Sequence, residues 1–301
     1  MWTGIELLFV LQDLRLAMPD IVTKFNLWIS APEVQYFIPV LLMALLLWCF
    51  GKKEAELVMF NFGFSNIIGY LIKNIVKQPR PWDLDPGIQP DAESKKGAPG
   101  YSLPSGHTTS AVSAFGTMSW LCRNNVFSVL FIALCILIPF ARMYLSVHTP
   151  LDITVGIVVV FAVCYVNYKV LNWSYQNDRN RTIVLLGYFA LGLIISLACD
   201  YFAGKFMSNK MSGFCTVMPL CLLIKDRYLD YEIPSIPLKD RIIRAIPGLI
   251  ISMVIMEAVY RLYTSHGAIL GLSVAMVFII LVYPLILKKW DKMAISPQQS
   301  T

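Results

Sequence analysis

Charge is scarce in this chain: Asp, Glu, Lys and Arg together make up 15% of 301 residues, while 57% are hydrophobic. The apolar residues fall into repeated runs of roughly 17 to 25, the length that crosses a bilayer core, so the composition marks an integral membrane protein. Histidine is scarcer still, with three residues, and the seven cysteines (49, 122, 135, 164, 199, 215 and 221) form no C-x-x-C pair and no metal-ligand spacing. They read as small hydrophobes and carry no disulfide prediction, and neither a metal nor a cofactor is expected. Met1 to Leu16 lacks the basic n-region and small-residue cleavage site of a signal peptide, carries Glu6 and Asp13, and is expected to be retained. A basic groove interleaved with aromatics is also missing. The net charge of +6 therefore calls for no nucleic-acid partner; positive-inside bias and attraction to anionic headgroups account for it.

What is present is an all-α pattern of about nine spans: Gln35 to Phe50, Leu57 to Lys73, Ser105 to Leu121, Val126 to Val147, Leu151 to Leu171, Thr182 to Phe202, Met211 to Ile224, Ile242 to Leu262 and Ala268 to Leu287. The seventh is short and contains Pro219, so a re-entrant or interfacial segment is the alternative there. Residues 1–34 read as an N-terminal interfacial segment, 35–202 as a six-span core, and 203–301 as three further spans. Within the first, Ile21, Val22, Phe25, Trp28 and Ile29 recur at helical spacing after Pro19, which fits a helix lying on the membrane surface. Lys and Arg concentrate in alternate connections, among them Lys52, Lys53, Arg181, Lys225, Arg241 and Lys288. The N-terminus is then expected outside or in a lumen and the C-terminus in the cytoplasm.

With that orientation three polar segments gather at the extracytoplasmic side. They are Lys73 to Pro81 (KNIVKQPRP), Pro104 to His107 (PSGH) and Arg142 to Asp152 (RMYLSVHTPLD). Phosphoryl transfer spreads negative charge over oxygens, which fixed cations and backbone N–H groups can answer. Lys73, Arg80 and Arg142 are such cations, and Arg suits bidentate phosphate contacts. Pro79 and Pro81 hold Arg80 in extended chain beyond the second span. Ser105 and Gly106 open the third span, where a helix start offers free N–H groups. Pro150 opens the fifth helix, so His148 stands at its entrance and Asp152 in its first turn, a nucleophile beside the carboxylate that orients it. His107 is the candidate general acid and base. Singly, each has a plainer reading: a snorkelling anchor for Lys73, an ordinary Pro-Ser helix start for 104–107, a capping pair for His148 and Asp152.

Together the three segments resemble the signature of the type 2 phosphatidic acid phosphatase superfamily, K-x6-R-P, P-S-G-H and S-R-x5-H-x3-D, with every charged and histidine position matched in spacing and order. The one departure is Ala141, where the family usually has serine. The resemblance implies a six-span core, cleavage of a phosphate monoester without metal, and a phosphohistidine on His148. It makes His107 the acid and Asp152 the orienting carboxylate, with Lys73, Arg80, Ser105, Gly106 and Arg142 binding phosphate. The expected substrate is a membrane lipid phosphate such as phosphatidate, a sphingoid-base phosphate or a polyprenyl diphosphate. The competing expectations are an idle relative that binds or moves lipid, and an enzyme on a soluble ester similar to glucose 6-phosphatases. Oligomeric state leaves no mark in the sequence.

Three other features carry expectations. Residues 82–101 read as a turn-rich lid with no core of its own. Glu257 and Arg261, one turn apart, read as an ion pair. His266 reads as a surface histidine.

Overall fold

The computed structural model describes residues 4–204, 210–229, 231–261 and 267–295. Those residues hold helices and turns, 83% helix overall, and no strand. The N-terminal pair is α1 (Ile5–Ala17) and α2 (Asp20–Ile29). After a wide turn at Glu33–Phe37 come α3 (Ile38–Cys49) and α4 (Lys52–Val76), then two short helices, α5 (Pro81–Leu84) and α6 (Ala92–Lys96). Next are α7 (Gly106–Ala111) and α8 (Thr117–Leu121), joined by a second wide turn at Val112–Gly116. The long helices α9 (Asn125–Tyr144), α10 (Pro150–Ser174) and α11 (Asp178–Ala203) follow. The chain continues through α12 (Lys210–Ile224), α13 (Leu238–Arg261), α14 (Gly267–Val277) and α15 (Tyr283–Ile295).

Six stretches among the described residues are long and apolar enough to cross a membrane: Asp20–Cys49, Lys52–Leu84, Asn125–Tyr144, Pro150–Ser174, Asp178–Ala203 and Leu272–Trp290. That is fewer than the nine read from sequence. The third expected span is the broken helix α7–α8, and the seventh is the 15-residue α12, interrupted by Pro219. The eighth lies in α13, which carries Lys239, Asp240, Arg241 and Arg244 near its start and Glu257 and Arg261 near its end. The side chain of Arg261 and all of His266 lie outside the described residues, as do parts of the loops around them.

The core forms around α4. From Ala55 to Ile67 every residue of that helix is buried, as an apolar helix surrounded by neighbours requires, and α3, α7, α10, α11 and α12 all pack on it. Helix α12 is also enclosed, with Met211, Phe214, Cys215, Met218, Cys221 and Leu222 buried against α11, α14 and α4. Gly192 lets α11 approach it, since a Cβ there would meet the Cys215 carbonyl oxygen at 2.6 Å. By contrast α9 turns Val126, Val129, Ile136 and other apolar side chains outward, as a lipid-facing helix does. On α2 the exposed residues include Ile21, Phe25 and Trp28, while Asn26 and Ile29 are buried where the helix meets α9.

Polar side chains stitch α7 and α8 to this core. The Asn66 amide oxygen accepts from Thr109 Oγ1 (3.0 Å) and Ser110 Oγ (2.7 Å). Further along, Asn61 donates to Thr117 Oγ1 (2.9 Å), Asn167 to Asn61 Oδ1 (2.9 Å), and the Tyr188 hydroxyl to Asn167 Oδ1 (2.6 Å). Bonds of this kind between helices contribute roughly 0.6 kcal/mol each in a membrane protein. They also set the position of the helix that carries residues 105–107.

At the end of the bundle away from the three motifs, a buried ion network joins α4, α10, α11 and the turn after α12. Arg181 donates to Glu56 Oε1 (2.7 Å) and Asp226 Oδ2 (2.8 Å), the Tyr175 hydroxyl donates to Glu56 Oε2 (2.5 Å), and Lys52 pairs with Asp226. Glu56 has no exposed surface, so deleting Arg181 would leave its carboxylate unpaired in the interior. Arg181→Ala is expected to destabilise the protein by about 3–5 kcal/mol. The Glu56→Ala/Arg181→Ala double variant should lose less than the sum of the singles, as read by thermal unfolding in detergent; additive losses would refute the pairing.

Candidate active site

The motif spacing follows from how helices end and begin. Helix α4 closes at Lys77, whose left-handed backbone (φ 55°) is unusual for a residue with a side chain and turns the strand away while its N–H still reaches the Lys73 carbonyl (3.0 Å). Lys73 therefore lies in the last helical turn. Arg80 follows in extended chain between Pro79 and Pro81, and Pro81 is the first residue of α5.

Helix α9 ends in a Schellman turn: Val147 N–H bonds the Arg142 carbonyl (3.1 Å), and Ser146 N–H bonds that of Met143 (2.8 Å). The left-handed position, normally a glycine, is Ser146 (φ 58°), with its side chain fully buried. Three residues after Ser146, Thr149 caps α10. Its hydroxyl accepts from Asp152 N (3.3 Å) while Asp152 Oδ2 accepts from Thr149 N (2.7 Å), a capping box with Pro150 at the first helical position. The five residues between Arg142 and His148, and the three between His148 and Asp152, are thus the length of one helix stop and one helix start.

His148 sits in this junction with 2% of its surface exposed. Its Nδ1 is 3.3 Å from Asp152 Oδ2 and its Nε2 is 3.2 Å from Arg80 Nη1. A guanidinium only donates, so Nε2 carries the lone pair and Nδ1 the proton, which points to the carboxylate. Asp152 is both the capping residue and the partner of His148, so the two readings of that pair describe one arrangement. Burial pushes the His148 pKa well below 6.5, and Arg80, Lys73 and Arg142 push it further in the same direction. The imidazole is neutral at neutral pH, the state a nucleophile requires.

The cations are committed to different extents. Arg80 is 4% exposed and donates to the carbonyls of Gly100 (3.0 Å), Pro99 (3.1 Å) and Val147 (3.0 Å) as well as to His148. Lys73 donates to the Ser102 carbonyl (3.4 Å), one of its three possible bonds. Arg142 is buried and its Nε has no hydrogen-bond partner. The Asp152 carboxylate thus acts on half-buried Lys73 and buried Arg80, that of Asp91 acts on Arg142, and Arg142 retains an unused donor. An anion fits that deficit.

Ser105 caps α7 by accepting from Thr108 N (3.4 Å), and its own N–H bonds the Asp152 carbonyl (3.1 Å), tying the second motif to the third. Gly156 of α10 permits this approach, because a Cβ there would come within 3.3 Å of Thr108. A Cβ on Gly106 would meet nothing nearer than Gln35 Nε2 at 3.9 Å. His107 is half-buried and its Nε2–H donates to the Ser30 carbonyl (3.0 Å), and the ring is close enough to Arg142 and Lys73 for their charges to act on it. Ala141, where a serine would be usual, is fully buried in the core and offers no hydroxyl to the site.

All eight residues expected from sequence therefore lie at one end of the bundle. Two that the sequence reading missed join them. Ser102 donates to Asp152 Oδ2 (2.5 Å), lies 3.4 Å from His148 Nδ1, and gives its carbonyl to Lys73. One serine in a polar loop carries no periodic signal. Ser30, outside the motifs, contributes only a main-chain carbonyl. The lid also differs from expectation: it contains α5 and α6, and it buries Ile88 against Leu8 and Leu11 and Ala98 against Tyr144, Leu145 and Val147. Trp82 within it receives Arg80 at 5.8 Å and Lys95 at 5.2 Å over its ring.

Residues 56–176 match the sequence profile of the PAP2 superfamily, a narrower span than the 35–202 read from the motifs. Among curated proteins, dolichyldiphosphatase of Saccharomyces cerevisiae is 30% identical over 131 residues, which cover 39% of this chain and 53% of that protein. The chain thus spans about half the length of the curated relative it matches. No solved structure matches it.

The protonation state has its own test. In protein labelled with 15N-histidine, the ring nitrogens assigned to His148 by comparison with His148→Asn should report a neutral imidazole at pH 6.5 and charge only well below it. Half-protonation of His148 at pH 6.5 would show that the burial and the three cations do not act as described.

Proposed function

With residues 56–176 belonging to the PAP2 superfamily, we propose that this chain is an integral membrane phosphatase that removes the terminal phosphate of a phosphorylated lipid through a phosphohistidine on His148. The observation that carries this reading is the His148 ring itself, with a carboxylate at Nδ1 and an arginine at Nε2 inside a buried cationic pocket.

In the proposed first step Arg80 transfers its Nη1 bond from His148 to a phosphate oxygen, which frees the Nε2 lone pair. Nε2 attacks phosphorus; the P–N bond forms as the bond to the lipid oxygen breaks, and the positive charge on the ring is stabilised by Asp152. Lys73, Arg80 and Arg142 hold the equatorial oxygens. His107 protonates the departing oxygen. His107 enters this step as the imidazolium: its Nε2–H stays on Ser30, and the Nδ1 proton given up here is regained from water in the second step. Water then attacks the phosphohistidine, His107 takes the water proton, and the P–N bond breaks to release inorganic phosphate. No step calls on a metal.

Among lipid phosphates, the similarity to the yeast dolichyldiphosphatase favours a polyprenyl diphosphate. A substrate of that kind would approach laterally in the bilayer, a reading that the long apolar helices support. The site is read as extracytoplasmic, supported by the Lys- and Arg-rich connections that meet at the opposite end, among them Lys52, Arg181, Arg241 and Lys288.

Phosphate release by the purified protein in EDTA, from a panel of polyprenyl diphosphate, phosphatidate, sphingoid-base phosphate and glucose 6-phosphate, tests the proposal. One lipid should be hydrolysed by the wild type and none by His148→Ala, with polyprenyl diphosphate the favoured substrate. Hydrolysis confined to glucose 6-phosphate would overturn the lipid assignment, and release by a folded His148→Ala would overturn the nucleophile.

Ser102→Ala should lower kcat about 10–100-fold with KM changed less than about threefold, because it disturbs the Asp152–His148 alignment and leaves the phosphate-binding cations in place. Ser102→Thr, which keeps the hydroxyl, should recover most of that loss. A change confined to KM would assign Ser102 to binding instead.

A further inference from the structure

The N-terminal helices lie outside the region that matches the PAP2 superfamily, yet their buried faces meet the site at several points. On α1 the buried residues Leu8, Leu11, Gln12 and Arg15 recur at helical spacing and form one stripe. Leu8 and Leu11 cover Ile88 of the lid. Gln12 then pairs with the lid backbone in both directions, donating to the Gly87 carbonyl (3.1 Å) and accepting from Gln89 N (2.6 Å).

Arg15 completes the stripe with a buried guanidinium. Nη2 donates to the Gln89 carbonyl, and Nη1 donates to the Tyr144 carbonyl (3.2 Å) and to Ser146 Oγ (3.3 Å). Its contacts thus fall on the lid and on the left-handed residue two positions before His148. The carboxylate of Asp91 acts electrostatically on both Arg15 and Arg142, and Asp91 N–H bonds the Leu145 carbonyl (3.2 Å). The other end of α1 reaches the far side of the same junction. Gly4 (φ 70°) lies so close to Pro150 that a Cβ would stand 2.8 Å from its Cγ. Just past the end of α2, the carbonyl of Ser30 holds His107 at 3.0 Å.

We infer that the helix pair α1–α2 is a working part of the catalytic site, in which Arg15 is a positioning residue that straps the lid to the turn carrying His148 and Ser30 orients His107. The physical case rests on Ser146. A left-handed backbone is strained at a residue with a Cβ, and a long cation is expensive to bury unless its donors are used. Arg15 is the side chain that grips Ser146 Oγ and the neighbouring Tyr144 carbonyl, so it holds the turn from which His148 is presented. Its second arm makes the position of that turn depend on the lid being down. The catalytic meaning of the strap rests on the proposed phosphatase reaction; the strap itself does not.

The test uses the full-length protein in lipid nanodiscs, with Arg15→Ala, Arg15→Lys and Gln12→Ala beside the wild type. Amide hydrogen exchange is followed at residues 86–91, in the lid, and 142–149, in the turn, against α11 as an internal reference. Arg15→Ala is expected to raise exchange in both segments by about tenfold or more and leave α11 unchanged. Gln12→Ala should raise it at 86–91 alone. On the substrate that the wild type hydrolyses, Arg15→Ala should lose about 10–100-fold in kcat with KM within about threefold. Arg15→Lys should recover part of the loss, since an ammonium cannot span all three acceptors.

Unchanged exchange in both segments, or raised exchange with wild-type kcat, overturns the inference. Exchange raised throughout α11 as well would mean general loss of folding in Arg15→Ala, and Arg15→Lys and Gln12→Ala then decide by the same two segments. If the wild type releases no phosphate from any substrate, the phosphatase proposal fails, and the exchange comparison decides the strap by itself.

Discussion

Three cations, half-buried Lys73 and buried Arg80 and Arg142, gather around His148 with Asp152 as the buried carboxylate at its ring, and the catalytic end of the bundle is built to tolerate that imbalance. An unpaired charge in the interior would be prohibitive, so the chain supplies main-chain carbonyls instead. Arg80 takes three of them, two from the end of the lid and one from the turn before His148, and Lys73 takes a fourth. Carbonyl dipoles solvate a cation without cancelling its charge. The pocket stays net positive and preorganised, which suits an anion that becomes more negative at its oxygens as it reacts.

Using backbone in this way has consequences for the fold. The carbonyls must come from irregular chain, and irregular chain near a membrane has to be covered by protein. Here α1 and α2 supply the cover, and the lid is packed under them. The same economy of parts operates at the junction of α9 and α10, where the bonds that end one helix and begin the next also place Arg142, His148 and Asp152. Asp152 serves the helix cap and the imidazole through one oxygen. A substitution there would disturb both.

The opposite end of the bundle solves a comparable problem differently. Glu56, Arg181 and Asp226 neutralise one another directly, and Tyr175 satisfies the remaining carboxylate oxygen of Glu56. That end has no charge deficit to offer a ligand. It instead joins α4 and α10, within the family-matched region, to the helices beyond residue 176. Between the two ends, the Asn66 and Asn61–Asn167–Tyr188 bonds keep α7 and α8 in register with the core.

The helical class, the apolar runs and the three polar segments were legible before any folding, because hydrophobic periodicity and fixed motif spacing are local properties. Lys73, Arg80 and Pro81 could be placed at a helix end, and His148, Pro150 and Asp152 at a helix start, from the backbone preferences of proline and from capping chemistry alone. Local rules could not count the spans: α7–α8, α12 and α13 are helical, but whether they lie against lipid or protein depends on their neighbours, and α12 is enclosed. Nor could they find Ser102, Ser30 or Arg15. Those residues meet the site through side chains or carbonyls brought across 46, 77 and 131 positions of sequence, and a contact at that range exists only once α1, α2 and the lid have packed.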